Sequence, residues 1–303
     1  MEKLLDPALP ESPKNFSTSD DLTGWYDGLP TGRSHNLVVH EEKDYAVAVG
    51  AMPRNDSCAA GLIYIDLSDP SNPTSPGCAG QDGYSHDAQC VVYHGPDTRY
   101  EERTVCYSFN EDTVTIYDST ERTGVNASTI ISRTSYTGAA YTHQGWLIDE
   151  SWQQYLLSDD ELDEVDGVEP AADGRSVMYI WDISDLENPV NTGYHKAVER
   201  SIDHNLYVHN GLAYQSNYGS GLRVLDVSGI PEDPTGGNVY EHAFFDIYPE
   251  DDGAPEVEFV GTWSNYLFPS GYVFVNTIER GGFVLKLSDT KGGGRGKGKW
   301  SRN

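Results

Sequence analysis

Leu62-Ile63-Tyr64-Ile65-Asp66 runs directly into Leu67-Ser68-Asp69-Pro70, and the pattern recurs three times further along the chain. The other copies are Val114-Thr115-Ile116-Tyr117-Asp118, Met178-Tyr179-Ile180-Trp181-Asp182 and Leu222-Arg223-Val224-Leu225-Asp226. Short β-branched and aromatic runs are strand signals. The closing Asp, with Ser one or two positions on, is turn chemistry, because both side chains bond the local backbone. Around each copy lie three further strand-like runs, so the unit is a four-stranded repeat of roughly 50–60 residues, the size of a propeller blade. Five repeats are predicted, with first strands at 35–40, 87–93, 144–149, 205–208 and 265–268. The fifth has no visible fourth strand. Fold class is therefore all-β, a β-propeller with about five blades visible. The domain spans 34–287, between an irregular segment 1–33 and a basic, glycine-rich tail 288–303 expected to be disordered.

A second signature marks the start of each repeat. Ser34-His35-Asn36, Ser85-His86-Asp87, Thr142-His143-Gln144 and Asp203-His204-Asn205 each place a histidine before a carboxamide or carboxylate. The histidines are 51, 57 and 61 residues apart, and Trp263-Ser264-Asn265 keeps only the third position. In a propeller the first strand of each blade lines the channel. The loop leading into it and the loop joining strands two and three open on one face. That topology predicts a channel mouth carrying His35, His86, His143 and His204 as candidate metal ligands. Beside them fall the polar groups Asn36, Asp87, Gln144, Asp203, Asn205, Asn265, Glu111, Asp112, Asp160 and Glu161. Converging neutral imidazoles favour Mn, Fe, Zn or Cu, whereas carboxylates and amides alone suit Ca. The bland reading of the same residues is that each histidine pins a blade-to-blade turn through both ring nitrogens.

The formal charge of −28 argues against nucleic acid as a partner, since a polyanion is repelled. No stretch is apolar and long enough to span a bilayer. No phosphate-binding loop or dinucleotide fingerprint is present, so no nucleotide cofactor is expected. The cysteines at 58, 78, 90 and 106 fall in the first two repeats. Cys90 and Cys106 flank a hairpin, and Cys58 precedes one strand while Cys78 ends the next. Disulfides Cys58–Cys78 and Cys90–Cys106 follow, and with them an oxidising, extracellular compartment. Sequons at Asn15, Asn55 and Asn126 agree with export. Met1–Pro7 contains no apolar export core, so the chain is expected to begin downstream of its natural start.

The strand-three motifs resemble LVIVD repeats. Together with Tyr84-Ser85-His86-Asp87-Ala88-Gln89-Cys90, Tyr141-Thr142-His143-Gln144-Gly145-Trp146-Leu147, Asp160-Glu161-Leu162-Asp163-Glu164, Ile202-Asp203-His204-Asn205 and Trp263-Ser264-Asn265-Tyr266, they resemble the choice-of-anchor B family of secreted or surface proteins. The resemblance covers roughly 30–287. It implies a ring of about seven blades, of which this chain would be an N-terminally truncated member, and it implies no established catalytic activity.

Two functions fit. One is a secreted or cell-surface binding module for a glycan or protein ligand, with a divalent metal at the channel mouth. The other is a metal-dependent enzyme on extracellular polysaccharide, a lyase with His143 or His204 as base. The acid run 160–166 reads as a solvated loop or a Ca²⁺ loop. Arg33 is a candidate anion contact at the mouth, set against a plain salt bridge. Trp146, Trp152, Trp181 and Trp263 read as packing residues, and His40, His94, His195, His209 and His242 as surface.

Overall fold

The computed structural model describes residues 17–251 and 253–288, and the tail from 289 onward lies outside the described residues. Five antiparallel sheets are arranged in a ring, which is a β-propeller with almost no helix. Blade one holds β1 (Asn36–His40), β2 (Tyr45–Val49), β3 (Leu62–Asp66) and β4 (Thr74–Ala79). Blade two holds β5 (Asp87–Val92), β6 (Thr104–Phe109), β7 (Val114–Asp118) and, past the two-residue β8 (Gly124–Val125), β9 (Thr129–Thr134). Blade three holds β10 (Thr142–Leu147), β11 (Tyr155–Asp160), β12 (Arg175–Asp182) and β13 (Val190–Arg200). Blade four holds β14 (Leu206–His209), β15 (Leu212–Asn217), β16 (Gly221–Asp226) and β17 (Tyr240–Phe245). Blade five has three strands among the described residues, β18 (Thr262–Leu267), β19 (Tyr272–Thr277) and β20 (Gly282–Lys286). The repeats read from the sequence are thus the blades. The pattern did not announce β8, which leaves blade two to add a parallel fifth strand to the outer edge of blade one, beside β4.

Alternation along the strands makes the ring. Leu156 and Trp181 join Phe109 and Ile116 in the core between blades two and three. Their neighbours Leu157 and Ile180 point the other way, into the core shared with Leu206, Ala213 and Leu225 of blade four. Strand side chains alternate faces with a period of two, so a middle blade is apolar on both. Burying each such leucine stabilises the packing by roughly 1.5–3 kcal/mol. Each blade therefore depends on its neighbour. Blade one packs on blade two through Val47, Leu62, Tyr64 and Cys90, and blade four on blade five through Leu222, Phe245, Val273 and Leu285.

The end of every strand three is tied as its sequence demands. The carboxylates of Asp66, Asp118, Asp182 and Asp226 accept from the backbone N–H two residues on, at 2.8, 3.1, 2.8 and 3.1 Å. Both expected disulfides are formed, and Cys90 faces Cys106 in register across β5 and β6. Among the described residues no helix is long and apolar enough to cross a membrane.

Candidate metal centre

The four signature histidines lie at or just before the starts of the innermost strands, and the ring draws them into one stack. Centroids of His35 and His86 are 4.3 Å apart, those of His86 and His143 4.4 Å, and those of His143 and His204 4.2 Å. Trp263 of blade five continues the series, 4.6 Å from His204. Successive blades dock through their lead-in loops. Gly50 N donates to Ser85 O at 2.6 Å, Glu111 N to Thr142 O at 3.1 Å, and Thr262 N to Tyr218 O at 2.9 Å. The ladder register skips His143 and Trp263, so both are bulged. Bulges re-aim a side chain, and here they turn it along the stack.

Three of the four imidazoles are anchored through Nδ1. That of His86 bonds His143 O at 2.9 Å, and that of His204 bonds Trp263 O. A carbonyl can only accept, so Nδ1 holds the proton and Nε2 keeps its lone pair. Nδ1 of His143 lies 3.1 Å from Asp159 Oδ1, which also accepts from Gln144 N at 3.0 Å. His86 and His204 therefore pin their blade to the next through one ring nitrogen, whereas His143 is tied within its own blade. Nε2 of His143 is buried without a hydrogen-bond partner.

Those free nitrogens meet a carboxylate. Glu161 Oε2 is 4.0 Å from His143 Nε2, and Oε1 is 3.5 Å from His204 Nε2. Tyr218 donates its hydroxyl to Oε1 and fixes the group. Donor atoms of His143, Glu161 and His204 all lie within 4.8 Å of one another, as do those of His35, His86 and His143. Both groups could hold a metal ion. They share His143, whose single lone pair serves one ion at a time. The four imidazoles form a stack, within which the two triads overlap at His143. A third group, His94, Glu101 and Glu102, is partly or fully exposed and reads as a surface ion-pair cluster.

Burial sets the protonation states. It lowers His86 to about 4 and His204 to about 3, with a further push from neighbouring imidazoles. His143 is held well below the usual imidazole range, by burial first and then by His204, His86 and His35. His35, exposed on its outer side, is lowered less, by burial alone. Neutral imidazole is the metal-binding form. Burial also raises Glu161, with a smaller push from Asp160.

The other polar residues of the mouth divide by role. Asn36 donates to Asp87 at 2.9 Å, and burial lifts that carboxyl to about 6. Gln144 Oε1 accepts from Leu206 N at 2.7 Å, Asn205 donates to Trp263 O at 3.1 Å, and Asn265 to Tyr214 O at 3.1 Å. These side chains stitch neighbouring blades. Glu111 takes both ends of Arg54 at 2.8 and 3.1 Å, and that guanidinium lies 3.6 Å from the Tyr84 ring centre. Tyr141 stands edge-on to His86 at 5.3 Å, so Tyr84, Tyr141 and Arg54 frame the exposed end of the stack. Asp112 is exposed and sits 3.7 Å from Arg133, and Arg33 is exposed. Below the histidines, Asn36, Asp87, Gln144, Tyr207 and Tyr266 line a channel cavity of about 340 Å³.

Three expectations are corrected. The acid run is no solvated loop: Asp160, Asp163 and Glu164 are buried, the last two opening a one-turn helix α1 (Asp163–Asp166). Asp160 is satisfied by Tyr136, Ala140 N and Tyr141 N at 2.7, 2.9 and 2.7 Å. Asp163 accepts from Tyr179 at 2.7 Å, and Asp203 lies beside them, fully buried. His40 is buried, because it ends β1 against Tyr45, 5.0 Å between ring centres. Trp152 is exposed, on the turn between β10 and β11, whereas Trp181 is core.

No protein-family model matches the chain, and no curated protein matches it. Among solved structures it resembles a hypothetical selenium-binding protein from Sulfolobus tokodaii, at 11% identity and TM-score 0.54, covering 85% of this chain and 62% of that one. The likeness is one of fold alone. Weaker similarities, at TM-scores 0.44 and 0.45 and 10% identity, are to the computationally designed Ika8 protein and to the AfRom2 CNH domain. They cover 82% and 84% of this chain, and 57% and 68% of those chains. The chain spans less than two thirds of the designed protein and of the Sulfolobus protein.

Proposed function

We propose that this protein is an exported β-propeller binding module that carries a divalent transition metal at one mouth of its channel, on His143, His204 and Glu161. One observation carries the reading. Both histidines have Nδ1 committed to an acceptor, both are held neutral, and both present Nε2 to one half-buried carboxylate. Metal-ligating histidines have this outer shell, with the second nitrogen donating to a carboxylate or carbonyl. Two imidazoles and a carboxylate suit Mn, Fe, Zn or Cu better than Ca, which prefers oxygen throughout. His86, next in the stack, is the neighbour placed to join as a further ligand. The resemblance to choice-of-anchor B proteins and the two disulfides support an extracellular setting. The metal's open positions would face the mouth framed by Tyr84, Tyr141 and Arg54, where a glycan or protein ligand would meet it.

Cobalt(II) titration followed by visible absorption tests this. Saturable d–d bands at one equivalent are expected, lost in His204→Ala and Glu161→Ala and retained in His94→Ala. Bands that survive both substitutions, or that never saturate, would remove the site.

A further inference from the structure

A second cavity, of about 310 Å³, opens between blades three and four, and none of the four histidines lines it. Its walls are largely apolar, from Ala197 and Val198 on β13, Leu225 on β16, and Val239 with Tyr240 at the start of β17. Two polar side chains stand on its floor, Gln215 and Asn217, two residues apart on β15 and so on one face. They are 2% and 1% exposed, and Gln215 Nε2 and Asn217 Oδ1 have no hydrogen-bond partner. One is a donor and the other an acceptor. Buried polar groups are almost always paired, so two unmet ones on one floor call for an explanation.

Of the remaining polar groups, Ser176 donates to Ser201 O at 2.8 Å, burial disfavours the charged form of His195, and the charge is set by three others. Arg223 is buried along one wall and bonds Ser220 O through Nε at 3.1 Å and Nη2 at 2.9 Å. Its Nη1 faces Glu241 at 3.0 Å and Glu199 at 3.4 Å. Two carboxylates outweigh one guanidinium whose donors are already engaged, so the cavity repels an anion. Small-molecule sites share this build, an apolar cavity of roughly 300 Å³ or more with a few polar groups that fix orientation.

We propose that this inter-blade cavity binds a small neutral molecule with an amide or lactam on an apolar body, its carbonyl accepting from Gln215 Nε2 and its N–H donating to Asn217 Oδ1. The amide answers both unmet groups at once, and the apolar body lies against Ala197, Leu225 and Val239. The site takes no part in the proposed metal chemistry.

Benzamide is the probe and benzoate its anionic counterpart, with binding read by ligand-observed NMR on the intact chain. Saturable benzamide binding is expected, with benzoate at least tenfold weaker. Ala197→Phe, at a half-exposed strand position that keeps the fold, fills the cavity and should weaken benzamide at least tenfold. Gln215→Leu should do the same while leaving cobalt binding unchanged. Absence of saturable benzamide binding, equal binding of benzoate, or full binding by Ala197→Phe would overturn the proposal.

Discussion

Replacing Asp159 by asparagine separates a metal-ligand role for His143 from a merely structural one. Asp159 is fully buried, and its Oδ1 receives both His143 Nδ1 and Gln144 N. Asparagine keeps that oxygen and nearly the same shape, so both bonds survive. What is lost is the negative charge this carboxyl can carry behind the imidazole once a cation lies on Nε2. Burial raises the Asp159 carboxyl well above its usual range, with Glu161, Asp87 and Asp160 adding repulsion, so removing the charge costs the fold little. Its Oδ2 has no partner now, and the new amide nitrogen would inherit that position. Folding stability in urea should therefore move by no more than about 1 kcal/mol, within the scatter of a near-neutral buried substitution. Metal affinity should fall about 10–100-fold, or about 1.4–2.7 kcal/mol, the usual effect of removing an outer-shell carboxylate. Isothermal titration with Zn²⁺ in parallel with urea unfolding gives both numbers. An unchanged zinc affinity beside a stability loss above 2 kcal/mol would refute the reasoning and leave His143 a structural residue of its own blade.

Further expectations bear on the fold and its protonation. Asp163 is raised to about 7, chiefly by burial, so its stabilising contribution is full below the unfolded carboxylate pKa and is lost as pH rises through 7. Chemical denaturation at pH 5 and pH 8 should show Asp163→Asn gaining stability relative to the parent at the higher pH. Gln144→Ala should lose about 1–3 kcal/mol in the same assay, because Leu206 N is left buried without its acceptor. The Cys90→Ala, Cys106→Ala pair opens a loop of sequence separation 16 and should lose about 3 kcal/mol.

The fold was legible because each blade repeats its chemistry. The β-branched third strands and the Asp-x-Ser turns after them are local signals, and the carboxylate–amide bonds at Asp66, Asp182 and Asp226 are their direct consequence. The gathering of the histidines followed from topology, since any residue at the start of an inner strand is carried to one mouth. What the spacing could not give was the partners. His86 and His204 bond carbonyls of the next blade, and no side-chain pattern encodes a carbonyl. Tyr218, which holds Glu161, lies 57 residues from it and belongs to no repeated motif. The acid run misled for a related reason. Dense charge ordinarily means solvent, yet Tyr136, Tyr179 and Tyr218 from three different segments supply hydroxyls that let Asp160, Asp163 and Glu161 sit inside. The inter-blade cavity depends on the far half of β13, where Ala197, Val198 and Glu199 belong to no repeated motif.

Anomalous diffraction from crystals grown with Mn²⁺ or Zn²⁺ is the most direct test of the metal centre. The account expects one strong peak about 2.0–2.2 Å from Nε2 of His143, Nε2 of His204 and a Glu161 oxygen. A peak confined to His94 with Glu101 and Glu102, or no peak at the histidine stack, would contradict it.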